Sequence, residues 1–154
     1  VQSWLELKIP PLLVLFIMAG AMLGVTYAAP TLSFPVPGRT LVALAFAALG
    51  VGSAIAGVIA FRRQHTTVNP LTPGASSAIV TGGIYRVSRN PMYLGFLLVL
   101  AGWVVCLSNA GAALFLPAFV AYLTRYQIKP EERALLAKFG SLYTEYMSRV
   151  RRWV

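Results

Sequence analysis

Residues 88–107 read SRNPMYLGFLLVLAGWVVCL, and this stretch decides the fold. A polar, basic knot of Ser88, Arg89 and Asn90 stands against Pro91, and from Met92 the chain runs apolar to Leu107. Asparagine is a favoured helix N-cap and proline suits the first helical position, so the stretch predicts a helix starting at Asn90 and Pro91. Residues 92–107 carry no charge. Their number is close to the lower limit of about 17 for a helix crossing a bilayer core. A basic edge followed by such a run is the pattern of a helix entering a membrane.

Working outward, three more apolar runs cover about residues 9–28, 41–61 and 110–126. The first two hold roughly 20 residues each, enough to cross a core of about 30 Å. Only SNAG, residues 108–111, separates the third run from the fourth, which predicts a tight helical hairpin. The first run exceeds the about 7–15 residues of a signal-peptide core, and its flank of Glu6 and Lys8 has no net charge, so it reads as a span. The chain is 58% hydrophobic and 11% charged, against about 25% charged in soluble domains. The expected architecture is all-α: a single domain over 1–154, an integral membrane bundle of four transmembrane helices with a C-terminal amphipathic helix.

That last helix is expected over about residues 130–150. Leu135, Leu136, Phe139, Leu142, Tyr143, Tyr146, Met147 and Val150 recur at spacings of three and four, one apolar face of a helix. Pro130 suits its first turn, followed by Glu131 and Glu132.

The net charge is +9. On a soluble chain it would suggest nucleic acid, but here the bases lie between apolar runs. Residues 62–91 carry Arg62, Arg63, Arg86 and Arg89 without an acid, and seven bases follow from Arg125 onward. The positive-inside rule places this loop, the tail and both termini in the cytoplasm. The compact chain suggests a bacterial inner membrane, with membrane lipid and no nucleic acid as partner.

The opening knot also has chemical potential. The free N–H groups and positive dipole end of the third helix, with Arg86 and Arg89 beside them, suit a carboxylate or phosphate. Arginine and tyrosine at such a boundary also serve as plain anchors. Tyr93 sits one turn inside, Gly95 permits close approach of another helix or a ligand, and Gly82–Gly83 offers a turn ahead of Tyr85. Glu131 and Glu132 point about 100° apart on a helix and must serve separate tasks. They complement the helix dipole; one can also pair with Arg125 or Arg133, and the other can meet a ligand hydroxyl or ammonium.

His65, the one histidine, is a possible general base or plain loop surface. Aspartate is absent and Cys106 is the one cysteine, filling space in an apolar run. Metal ligation, an internal disulfide and a Ser-His-Asp set are therefore excluded. Gly50-Val51-Gly52 reads as a helix-packing surface.

Three motifs in order now carry a resemblance: IVTGGIYRVSRNPMYLG (79–95), EERALLAKFG (131–140) and YTEY (143–146). Together they resemble the membrane methyltransferases, which include the isoprenylcysteine carboxyl methyltransferases and the phospholipid N-methyltransferases. The likeness spans about residues 60–152. At Asn90 the prenylcysteine enzymes carry histidine, whereas the phospholipid enzymes share the NPMY of this chain; Ser77 likewise stands where the former have histidine.

The resemblance implies a cytoplasmic site for S-adenosylmethionine. It assigns cofactor binding to Thr81, Gly82, Tyr85, Asn90, Pro91, Tyr93 and Gly95 in the first motif. In the others it assigns Glu131, Glu132, Tyr143 and Tyr146. Arg89, Arg125 and Glu132 are the expected catalytic residues. Methyl transfer depends chiefly on placing acceptor and donor in line. The expected acceptor is lipid-like or hydrophobic, first a prenylcysteine-type carboxylate and second a phospholipid amine. A non-catalytic four-span binding or scaffold protein is the rival from another class. A transporter is disfavoured, because no ionisable residue lies inside the spans.

Overall fold

The computed structural model describes residues 5–64 and 77–154. Two helices come first, α1 (Pro11–Ala28) and α2 (Arg39–Arg63). Both are long and apolar enough to cross a membrane. Leu12, Phe16 and Ile17 on α1, and Leu41, Leu49 and Ile55 on α2, are exposed on the outside of the fold. A helix apolar on all sides, with most of them uncovered, suits a hydrocarbon surround. α2 ends on Arg62 and Arg63, cations that complement the C-terminal end of its dipole.

α3 (Pro91–Leu107) is the centre of the molecule. It packs on α2 through glycines. A Cβ on Gly95 would lie 2.4 Å from the Gly50 carbonyl oxygen, and one on Gly102 would lie 2.8 Å from that of Ala43. The two backbones touch, as small residues allow where no water drives helices together. Of the expected Gly50-Val51-Gly52 surface only Gly50 takes part, since a Cβ on Gly52 would meet nothing within 4 Å. Ser53 Oγ donates to the Pro91 carbonyl at 2.7 Å and fixes the start of α3. On its other side α3 joins a core of Met22, Leu100, Phe119, Leu123 and Ile128.

The hairpin at 108–111 is present. Ser108 closes α3 at φ 52°, and the chain turns into α4 (Ala110–Ala113) and α5 (Phe115–Leu123). Asn109, wholly buried, organises the turn. Its Oδ1 accepts from the N–H groups of Gly111 and Ala112, and its Nδ2 donates to the Ala29 carbonyl and Ser33 Oγ. Asn109 also pairs with Ser33 in an isolated bridge; no strand occurs among the described residues.

After α5 the chain stays helical through a π turn (Thr124–Ile128) into α6 (Lys129–Phe139). Pro130 has no N–H for the carbonyl of Tyr126 four residues back. The N–H of Leu7 bonds that carbonyl instead, at 3.0 Å, and Gln127 Nε2 donates to the Ile9 carbonyl at 2.9 Å. The segment before α1 is thereby tied to the α5–α6 junction.

The single amphipathic helix expected over about 130–150 is corrected. Gly140 takes φ 53°, ψ −124°, outside any helix, and divides the segment into α6 and α7 (Ser141–Arg149). The apolar face survives the break. Tyr143, Tyr146 and Val150 are buried with Val80 and Tyr85, against Phe61 near the end of α2. Leu142, which spacing alone puts on that face, is exposed.

Candidate functional site

The basic end of α2, the start of α3 and helices α6 and α7 converge on a cluster of charged and phenolic groups. The segment before α3 contributes a 3₁₀ turn (Gly83–Arg86), entered through Gly83 at φ 60°. It buries Tyr85, whose ring meets Phe61 edge-on with centroids 5.4 Å apart. The Tyr85 carbonyl accepts from the Tyr146 hydroxyl at 2.7 Å, locking α7 to the turn.

Asn90 holds the N-cap position of α3 without capping it. Its Nδ2 donates instead to the Arg152 carbonyl at 2.9 Å. The backbone N–H of Arg89 donates to the Arg151 carbonyl at 3.0 Å. The segment after α7 thus runs across the start of α3, and Trp153 Nε1 pins it by donating to Thr124 Oγ1 at 3.2 Å.

Glu132 stands at the centre. Arg152 grips its carboxylate with both arms of the fork, Nε to Oε1 at 3.0 Å and Nη2 to Oε2 at 2.7 Å. Arg89 Nη2 lies 3.2 Å from Oε1. The Arg89 side chain is only 10% exposed, yet its Nε and Nη1 have no hydrogen-bond partner among the described residues. Buried donors are seldom left unmade, because each forfeits its hydration. Two unpartnered nitrogens on one guanidinium mark a place for an anion.

Glu131 points elsewhere, as adjacent helical residues must. Its Oε1 accepts from the Tyr93 hydroxyl. Burial pushes the Glu131 carboxyl up to about 8; the Tyr93 hydrogen bond opposes this and Glu132 adds to it. Burial likewise pushes Tyr143 up to about 12, with Glu132 raising it and Arg89 pulling it down. Burial raises Tyr85 and Tyr146 well beyond the ordinary phenol range. All three phenols are neutral at physiological pH. The site therefore sets neutral rings and two carboxyl groups beside one buried guanidinium with free donors.

The structure brings together Arg89, Glu131, Glu132, Tyr85, Tyr93, Tyr143 and Tyr146. Asn90 and Pro91 shape the start of α3, and Gly95 serves the contact with α2. Thr81 is exposed and lines a cleft with Tyr146; Gly82 lines another with Arg63. Arg125 is exposed on the π turn and has no ion-pair partner among the described residues, so nothing joins it to the cluster. Arg133 pairs with Glu6 rather than with Glu131 or Glu132. His65 lies outside the described residues.

Sequence reasoning passes over Arg152. It sits in RVRRWV, where a run of bases at a membrane edge reads as headgroup contact, and no local pattern distinguishes one arginine from the next.

Comparisons with known proteins agree with the motifs. Protein-S-isoprenylcysteine O-methyltransferase B of Arabidopsis thaliana is 38% identical over 93 residues, 60% of this chain and 47% of that protein. Methanethiol S-methyltransferase 2 of Bradyrhizobium diazoefficiens is 42% identical over 67 residues, 44% of this chain and 25% of that protein. A protein of Haemophilus influenzae is 41% identical over 63 residues, 41% of this chain and the whole of that protein. The chain thus spans about half the length of the plant relative and a quarter of the Bradyrhizobium one. No solved structure matches it. The family model described as phospholipid methyltransferase matches residues 39–141, from the start of α2 to the start of α7, and so takes in Arg89, Tyr93, Glu131 and Glu132: the chain belongs to the phospholipid methyltransferase family.

Proposed function

We propose that the chain is an integral membrane methyltransferase that uses S-adenosylmethionine and acts on a hydrophobic, lipid-like acceptor. The observation that carries this reading is Arg89, buried beside neutral tyrosines and two carboxyl groups with two nitrogens unpartnered. An anion-ready guanidinium next to a cation-ready cluster complements a ligand bearing a carboxylate, an ammonium and a sulfonium. Arg89 suits the carboxylate; Glu131 and the rings of Tyr85, Tyr93, Tyr143 and Tyr146 suit the cationic groups. When bound, S-adenosylmethionine supplies an electrophilic methyl group on its sulfonium sulfur.

The chain's own residues do the positioning. Glu132 holds Arg89 in place, Tyr93 holds Glu131, and Asn90 ties the start of α3 to the segment after α7. Four spans, at about 9–28, 41–61, 92–107 and 110–126, leave the site at the basic end of the bundle. That end faces the cytoplasm by the positive-inside rule, in a bacterial inner membrane. An apolar groove of about 440 Å³ runs over Val99 and Trp103 of α3, between Phe16 of α1 and Leu44 of α2. It begins about 14 Å along α3 from Asn90 at 1.5 Å per residue. It offers a bed for the chain of a lipid-like acceptor.

Of the two acceptors this reading favours one that must lose a proton, such as an ethanolamine headgroup, because Tyr93 holds the buried Glu131 carboxyl at the start of α3. Glu131, with its carboxyl near 8, is matched to take that proton around neutral pH. The second reading is a prenylcysteine-type carboxylate, which needs no base; the activity for which the plant relatives are named favours it. Calorimetric titration of S-adenosylhomocysteine into detergent-purified protein tests the site. Micromolar binding by wild type, lost in Arg89→Met, is the expected result. No binding by folded wild type, in lipid as well as detergent, overturns the proposal. Methyl transfer to ethanolamine phospholipid but not to a prenylcysteine acid then separates the two acceptors.

A further inference from the structure

We infer that Arg152 is a positioning residue that keeps Arg89 open for the anionic end of the ligand. The inference rests on reading this site as one for S-adenosylmethionine.

A lone arginine and a lone carboxylate favour a fork-to-fork pair, which uses two guanidinium nitrogens and both oxygens. Here Arg152 has taken both oxygens of Glu132, one with Nε and one with Nη2. Arg89 is left a single contact with Glu132, Nη2 to Oε1 at 3.2 Å, and its side chain also meets Tyr143. Its Nε and Nη1 are therefore not drawn onto Glu132, and they stay buried and unpartnered among the described residues. Without the Arg152 fork, Glu132 is free to turn and engage Arg89 by both oxygens, closing the anion subsite from within.

Backbone and side chain of Arg152 have separate duties. Its carbonyl accepts from Asn90 Nδ2, and its neighbours bind through the Arg151 carbonyl and the Trp153 indole. These bonds need no guanidinium, and the Arg152 side chain is 34% exposed. A side-chain substitution therefore leaves the segment in place across α3 and alters only the hold on Glu132.

The test compares two probes on wild type, Arg152→Gln and Arg152→Lys in detergent. S-adenosylhomocysteine carries the carboxylate, and 5′-methylthioadenosine lacks it. The expected result is an about tenfold or greater loss of S-adenosylhomocysteine affinity in Arg152→Gln, with methylthioadenosine affinity unchanged. Arg152→Lys, with the charge but no fork, should recover part of the loss. Equal loss of both probes in Arg152→Gln makes the residue merely structural and overturns the inference, as does no loss of either. Wild type that binds neither probe overturns the cofactor reading itself. Wild type that binds while Arg152→Gln behaves in one of those two ways overturns only the role of Arg152.

Discussion

The Tyr93 hydroxyl donates to Glu131 Oε1 at 2.5 Å, joining the first turn of α3 to the first turn of α6 across 38 positions of sequence. This bond brings the knot at 88–96 and the acidic pair at 131–132 into one site. It also gives the carboxyl of Glu131 a single phenolic partner in a place withdrawn from water.

That burial makes stability depend on pH. The folded Glu131 carboxyl is raised to about 8, above its ordinary value of 4.5, so the folded state keeps a proton that the unfolded state has lost. Its contribution is fully present below about 4.5 and is lost as pH rises through about 8. Every tenfold gain in proton affinity is worth about 1.4 kcal/mol, so the fall amounts to a few kcal/mol. Melting temperatures in detergent should drop between pH 5 and pH 9 in wild type and stay nearly level in Glu131→Gln.

Glu132 carries a different burden. Arg152 and the buried Arg89 both lean on it, and breaking such a buried pair typically destabilises by about 3–5 kcal/mol. The Arg152 side chain is 34% exposed, so the expected loss in Glu132→Gln is nearer the lower figure. Denaturation of Glu132→Gln against wild type, at constant detergent, measures it.

The contact between α2 and α3 predicts a contrast between two glycines. A methyl on Gly95 collides with a backbone carbonyl oxygen 2.4 Å away, whereas a methyl on Gly52 meets nothing within 4 Å. Gly95→Ala should lower stability by about 1–3 kcal/mol, as overpacking does. Gly52→Ala should leave stability unchanged or raise it slightly through helix propensity. Thermal unfolding of the two variants side by side decides the matter.

At the opposite end, Asn109→Ala removes two accepted and two donated hydrogen bonds. Loss of the cap alone is worth about 1 kcal/mol, and loss of the bonds to the Ala29 carbonyl and Ser33 Oγ adds to it. Asn109→Asp keeps the cap acceptor and loses the donors, so its melting temperature should fall between those of Asn109→Ala and wild type.

Much of the bundle is legible from local pattern. The start of α3 at Pro91 and the turn at 108–111 follow from residue type and apolar run length, which need no knowledge of distant parts. Arg89, Tyr93, Glu131 and Glu132 stand out through the motifs at 79–95 and 131–140 rather than by residue type, since many bases and tyrosines border the apolar runs. Gly140 falls inside the helix expected over about 130–150; only its positive φ shows the break between α6 and α7.

By itself, the sequence determined that this chain forms apolar helices with a basic edge and that its polar chemistry gathers there. Composition and periodicity act within a few residues, so they can be read along the chain. Only the tertiary structure decided who pairs with whom: Glu132 with Arg152 at 20 positions' remove, Glu131 with Tyr93, the Tyr126 carbonyl with Leu7. Long charged side chains and freed carbonyls take the partner that packing brings within about 3 Å. Those partners lie on elements far apart in sequence, and no local pattern records which of them meet.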